Sequence, residues 1–132
     1  SYLAFLVPRV ILFREEHSPR VFVPKVDYIS APGVSEGIVR PGGPHALLTG
    51  MALFDFDKQK KRFALRSVHH GYTAADVRAA TGFDYDEPAV VPETKAPSAE
   101  NLTLLRGRVT DELSESYPAF ADMLRGERKE AA

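Results

Sequence analysis

Ala46-Leu47-Leu48-Thr49-Gly50-Met51-Ala52-Leu53-Phe54 is a near-continuous apolar run in a chain that elsewhere mixes charge with hydrophobicity. A run of this kind reads as one strand buried on both faces, as in the middle of an α/β sheet. Asp55-Phe56-Asp57-Lys58-Gln59-Lys60-Lys61 then turns the chain, and Arg62-Phe63-Ala64-Leu65-Arg66-Ser67-Val68 returns as a second strand. The connection is short, so the natural pairing is an antiparallel hairpin. Thr73-Ala74-Ala75-Asp76 has the form of a capping box. Its threonine oxygen suits an orphan N–H, and its carboxylate suits the positive end of a helix. The predicted helix runs to Ala80 or Thr81 and stops at Gly82 in a left-handed cap.

Working outward, 1–13 is apolar at nearly every position and is expected inside the fold, as a helix or a buried strand. Its Tyr2–Val7 portion, closed by Pro8, is too short for a membrane span and lacks the charged start of a signal peptide. Arg14–Arg20 reads as a loop. In 21–30 the better strand lies after Pro24, because proline removes a ladder donor. Ala31–Pro44 holds three prolines and four glycines and is the longest loop. Downstream, 84–97 is acidic, contains Pro88, Pro92 and Pro97, and reads as an extended crossing over the surface. Ser98 caps a second helix with Leu102, Leu105, Val109 and Leu113 on one face. A third follows Pro118 and carries Phe120, Met123 and Leu124, and the charged end from Arg125 is expected to fray.

Composition narrows the function. The 132 residues amount to one ordinary domain, 44% apolar and 27% charged, which is a globular balance. Seventeen basic against eighteen acidic residues give a net charge of −1, against the basic excess of a nucleic-acid binder. There is no cysteine, which excludes disulfides, thiolate metal sites and a cysteine nucleophile.

Four histidines draw attention: His17, His45, His69 and His70. His69 falls where a strand ends, before Gly71 and the capped helix, a position that binding groups favour in α/β folds. Its competing role is a bond to the loop backbone. Adjacent His69 and His70 point to opposite faces of a strand, so no metal site is expected from them. His17, Ser18 and Glu16 share one loop but are too close in sequence for triad geometry. Pro41-Gly42-Gly43-Pro44 lacks phosphate-loop spacing and precedes a strand. It is read as a turn whose glycines let a ligand approach the backbone. Asp55 and Asp57 face one way and are expected to end a strand in an Asx-turn. Arg20 suits a carboxylate or phosphate, or equally a structural ion pair.

Taken in order, these segments resemble a known family. Gly42-Gly43-Pro44, the strand ending Phe54-Asp55-Phe56-Asp57, then Leu65-Arg66-Ser67-Val68-His69-His70-Gly71, Val77 and Thr81-Gly82-Phe83 are similar to the C-terminal part of the β subunit of class I CoA-transferases. The nearest subset is the β subunit of glutaconate CoA-transferase and its relatives, including that of the CoA-thioester ring-opening hydrolase of steroid degradation. Ser18–Asp27 resembles the segment before the family's buried strand. Val91-Pro92-Glu93-Thr94, Pro97 and Leu104-Leu105-Arg106 resemble its last crossing and helix. Two features depart from the pattern. The family's His-Pro-Gly is His69-His70-Gly71 here, and Val7–Glu16 is longer than its counterpart.

The resemblance implies an α/β three-layer sandwich of the NagB/RpiA/CoA-transferase-like type. Residues 1–124 would be its C-terminal portion, with a mixed sheet and flanking helices, and 125–132 a charged tail. It implies work on acyl-CoA thioesters in the cytoplasm, within an α/β heteromer, with coenzyme A as part of the substrate and no permanent cofactor or metal. The family's N-terminal half carries the transferase glutamate, and Glu15, Glu16, Glu36 and Glu93 do not lie in its motif. No catalytic residue is therefore expected in this chain, and the candidates for substrate or CoA contact are His69, Gly71, Gly42, Gly43, Pro44 and Arg20. The expected partners are a complementary N-terminal half or chain of the β subunit, the α subunit and acyl-CoA, with neither nucleic acid nor membrane. A ring-opening hydrolase segment and a non-catalytic α/β scaffold are the alternatives. The run 46–54 would have an unpaired edge until a partner completes the sheet.

Overall fold

The computed structural model of the protein describes residues 7–30, 32–34, 37 and 41–126. The expectations for Ser1–Leu6, for part of the Ala31–Pro44 loop and for most of the charged tail lie outside these residues. The chain forms two compact units, Ser1–Thr94 and Lys95–Ala132.

The first unit is built on a mixed sheet of β1 (Val10–Arg14), β2 (Pro44–Thr49), β3 (Ala52–Asp57) and β4 (Arg62–Val68), paired in that order. β1 and β2 are parallel, and β2–β3 and β3–β4 are antiparallel. The run 46–54 is therefore not one strand: it folds back at Gly50–Met51 into two. Thr49 and Gly50 cause the reversal. The Thr49 hydroxyl accepts from the amides of Met51 (3.2 Å) and Ala52 (3.0 Å), closing a hydroxyl-capped turn. Gly50 donates to the Glu15 carbonyl at 3.0 Å, and a Cβ there would stand 2.5 Å from that same oxygen. The split also corrects the edge expectation, because β2 and β3 each pair on both sides.

Further differences have local causes. 21–30 contains no strand, and Tyr28 and Ile29 are exposed, since β propensity without a neighbouring ladder does not make a strand. Of the apolar N-terminal run, the described β1 is an exposed strand, not a buried element. α1 (Ala74–Ala80) starts at Thr73 with the expected capping box but ends at Thr81 in extended conformation. Gly82 is not a left-handed cap. Its amide donates to the Phe22 carbonyl at 2.7 Å, so close that a Cβ would collide with that oxygen. Asp57 does form the Asx-turn, accepting from Gln59 and Lys60, while Asp55 stays within β3 and pairs with Arg66.

Leu47, Ala52, Phe54, Leu65, Val68, Val77 and Tyr85 form the core. Phe54 is fully buried and meets Tyr85 edge-on, with centroids 5.2 Å apart. The 84–94 crossing binds the outer edge of β4. Leu65 and Val68 donate to Asp86 and Pro92, and Asp86 and Thr94 donate to Phe63 and Val68. Lys60 and Arg62 both reach Asp86 at 3.2 Å, and the Arg78 guanidinium lies 3.8 Å above the Tyr85 ring.

The second unit holds α2 (Ala99–Leu104), α3 (Thr110–Ser114) and α4 (Pro118–Arg125). Ser98 caps α2 as expected, with its hydroxyl accepting from Asn101. The helix expected to continue through Leu113 is interrupted by a wide turn, Leu105–Val109, where Gly107 leaves helical geometry. Pro118 opens α4, and left-handed Gly126 closes it.

Candidate functional site

β1, β2 and β4 run in one direction, so their carboxyl ends share one end of the sheet. Three segments meet there: 15–20 after β1, the Gly50–Met51 reversal after β2, and 69–73 after β4. Binding groups in α/β sheets gather at such ends.

Thr49, 2% exposed, stands at the centre. Its hydroxyl lies 2.8 Å from His17 Nδ1 and 3.1 Å from the Ala52 carbonyl. Its own carbonyl lies 3.0 Å from His69 Nε2. A carbonyl only accepts, so His69 carries its proton on Nε2. In the neutral ring Nδ1 then accepts from the Thr94 hydroxyl at 2.8 Å, and Thr94 accepts from Ser67 at 2.7 Å. The order Ser67, Thr94, His69, Thr49 is thus a directed chain of hydrogen bonds. The His69 amide also donates to the Met51 carbonyl at 2.8 Å, so His69 braces the reversal from side chain and backbone.

His17 completes the arrangement from the other side. Its Nε2 lies 2.8 Å from the Thr81 hydroxyl, which donates to the Val77 carbonyl at the end of α1. The Phe22 ring packs edge-on against it at 4.7 Å. Burial pushes the His17 imidazole below its ordinary range, so the neutral ring is favoured; with Thr81 donating to Val77, Nε2 donates to Thr81 and Nδ1 accepts from Thr49. Ser18 instead bonds Glu16, and no triad forms. The Ser18 hydroxyl and the Arg20 and Arg14 guanidiniums hold Glu16 below the usual carboxylate range.

The residues singled out from sequence divide between the two ends of the sheet. His69 and Gly71 lie at the carboxyl end, with Gly71 at φ +86° in the turn before α1. Gly42, Gly43 and Pro44 lead into β2 at the opposite end, six strand residues or roughly 17 Å away. There Gly43, at φ +125°, accepts from the Val10 amide at 2.9 Å and anchors β1 to β2. Arg20 is exposed and holds Glu16 at 3.3 Å, which is the ion-pair reading. His70 is exposed beside Glu93.

Sequence reasoning missed Thr49, Thr81, Thr94 and Ser67, and gave His17 no role. The usable signal was Thr49-Gly50 inside an apolar run, a hydroxyl before a glycine. Among the described residues no three His, Asp or Glu side chains cluster as metal ligands, and no helix is long and apolar enough to cross a membrane. The arrangement presents neutral donors and acceptors. It fixes the shape of the Gly50–Met51 backbone and places no carboxylate at its centre.

No protein-family model matches the sequence. Individual proteins do. The chain is 31% identical over 102 residues to the β subunit of glutaconate CoA-transferase from Acidaminococcus fermentans, 71% of this chain and 38% of that protein. It is 31% identical over 97 residues to the cholesterol ring-cleaving hydrolase IpdB subunit of Mycobacterium tuberculosis, 68% of this chain and 38% of that one. The chain thus spans well under half the length of these curated relatives. The crystal structure of the A. fermentans glutaconate CoA-transferase superimposes with a TM-score of 0.62 at 30% identity, over 74% of this chain and 40% of the other. That of Rhodococcus jostii IpdAB gives 0.67 at 28% identity, over 75% and 42%. The α/β architecture of this chain is that of CoA-transferase subunits, and about 70% of it is homologous to the β subunits of glutaconate CoA-transferase and of the ring-cleaving hydrolases.

Proposed function

We propose that this chain is part of the β subunit of a class I CoA-transferase and works within an α/β heteromer on acyl-CoA thioesters. On this reading residues 1–124 are the C-terminal portion of the family's α/β domain and 125–132 a charged tail. The reaction moves CoA from a donor acyl-CoA to a free carboxylic acid. The donor's C–S bond breaks, the acceptor's forms, and one carboxylate oxygen passes to the donor acyl group. Coenzyme A enters as substrate, no permanent cofactor or metal takes part, and the expected compartment is the cytoplasm. The observation that carries the reading is the 31% identity to the glutaconate CoA-transferase β subunit. The reacting carboxylate comes from another stretch of polypeptide.

This chain then contributes shape. His69, with Gly71 beside it, holds the Gly50–Met51 reversal at the carboxyl end of the sheet. Gly42, Gly43 and Pro44, together with Arg20, are the remaining candidates for contact with substrate or CoA. The equal identity to IpdB supports a second reading, a β-subunit segment of a CoA-thioester ring-opening hydrolase.

The test is to co-express the chain with a complementary β-subunit segment and an α subunit, then supply an acyl-CoA with and without a free acid. CoA transfer that requires the acid supports the first reading. Free thiol release or ring opening without an acceptor supports the second. An assembled complex that binds acyl-CoA without turnover refutes both and leaves a non-catalytic scaffold.

A further inference from the structure

The Thr49 hydroxyl has more polar neighbours than it can serve at once. A hydroxyl donates once and accepts twice. With the His17 ring neutral the count closes. The proton goes to Nδ1 at 2.8 Å, and the two lone pairs take the Met51 amide at 3.2 Å and the Ala52 amide at 3.0 Å. Protonating the ring puts a hydrogen on Nδ1, and the count no longer closes. The Thr49 proton then turns to the Ala52 carbonyl, 3.1 Å away, and three donors compete for two lone pairs. The imidazolium prevails, because a charged donor makes the shorter and stronger bond. Of the two amides, Met51 makes the longer bond and belongs to a half-buried residue, whereas Ala52 is fully buried. The Met51 bond is therefore the one given up. On the other side of the ring nothing changes, since Nε2–H donates to Thr81 in both states.

We infer that His17 and Thr49 form a proton-operated latch, in which protonation of His17 releases the Met51 amide and loosens the Gly50–Met51 reversal at the carboxyl end of the sheet. The ring meets Thr49 of β2, Phe54 of β3, Phe22 of the following loop and Thr81 at the end of α1, all of them uncharged. The charged groups on the same elements are engaged elsewhere. On its own segment Glu16 holds Ser18, Arg14 and Arg20, and Glu15 offers its carbonyl to Gly50. On α1, Arg78 holds Glu87 and covers the Tyr85 ring, and Asp76 closes the capping box at the far end. Asp55 of β3 pairs with Arg66, and His45 stands at the opposite end of β2. The second imidazole at Thr49, His69, meets the backbone carbonyl. Charging His69 keeps that Nε2–H in place and does not alter the count at the hydroxyl. The latch stands independently of the CoA-transferase reading, and its test reads no turnover.

Amide exchange of the full chain, followed residue by residue by NMR between about pH 8 and about pH 5, tests this across the histidine range. After correction for the intrinsic pH dependence of exchange, Met51 should lose protection on the order of tenfold towards acid while Ala52 keeps its own. The Met51 curve should share its midpoint with the ring-nitrogen shifts of His17, which report protonation directly. That midpoint should lie below the ordinary histidine value of about 6.5. His17→Gln should leave Met51 protection flat across the range, and His69→Gln should leave the midpoint in place. The comparison of the two parental curves decides the matter even where a variant fails to fold. Met51 protection that stays flat while the His17 ring titrates overturns the latch. A loss shared equally by Ala52 overturns it too, because that is a general loosening of the turn. A Met51 midpoint that survives His17→Gln assigns the switch to another group and also overturns the inference.

Discussion

Replacing Thr49 by Val keeps the shape of the side chain and deletes one hydroxyl. That oxygen serves His17 Nδ1, the Met51 and Ala52 amides and the Ala52 carbonyl, all between 2.8 and 3.2 Å. The four losses are unequal. Ala52 is fully buried, so its polar groups have no route to water, whereas Met51 and His17 are only half-buried. Each orphaned buried group costs about 1–3 kcal/mol and each recoverable neutral bond about 1 kcal/mol or less. Neighbouring losses share one relaxation and do not add in full. The expected destabilisation is about 2–4 kcal/mol. Urea unfolding of the assembled protein, followed by circular dichroism, should show a midpoint about 1–2 M lower with an unchanged slope. Thr49→Ser is the control: it keeps the hydroxyl and forfeits one methyl, about 1 kcal/mol. A valine variant no less stable than the serine variant would show that the hydroxyl does not hold the reversal together, and the described site would lose its centre.

Three other outcomes are expected. Gly82→Ala should destabilise by about 2 kcal/mol or more, because the new Cβ collides with the Phe22 carbonyl; a melting temperature within a degree of the parent contradicts the close approach. His17 is favoured neutral in the folded chain, with its pKa below the ordinary 6.5, so the unfolded chain protonates first as pH falls. The stability it contributes is complete above about pH 6.5 and is lost as pH drops through the folded value. Melting temperatures between pH 5 and 8 should therefore fall more steeply toward acid in the parent than in His17→Gln, and parallel curves would dismiss the burial argument. His69→Ala should lower turnover in the assembled enzyme without dissociating it; unchanged kinetics would strip His69 of any part in positioning.

Features decided within a few residues were legible in the sequence. Thr73 and Asp76 form their capping box because they stand three positions apart and nothing distant interferes. The β3–β4 hairpin follows from its short polar connection. The split of 46–54 was hidden because eight of its nine residues fit a buried strand equally well before and after the reversal, and Gly50 is required by Glu15, 35 positions away. Val26–Ile29 has strand composition, but a strand needs a ladder, and composition does not show where the ladder is. At the site, His69 was visible as a histidine at a strand end. Its partners Thr49 and Thr94 lie 20 and 25 positions away, and nothing local marks them. That Gly42 and His69 occupy opposite ends of the sheet emerges only once strand directions are known.

Thr94 is the last residue of the first unit, and it also clasps β4 through its amide and His69 through its hydroxyl. The leash to the helical unit is therefore fastened at the brace itself. Lys95 is joined to the imidazole through Thr94, whose side-chain hydroxyl makes the 2.8 Å hydrogen bond. A pull that frees the Thr94 hydroxyl would unlatch His69 from one side while Thr49 still holds the other. Length or stiffness introduced just after Thr94 thus meets the end of β4 and His69 through the same residue.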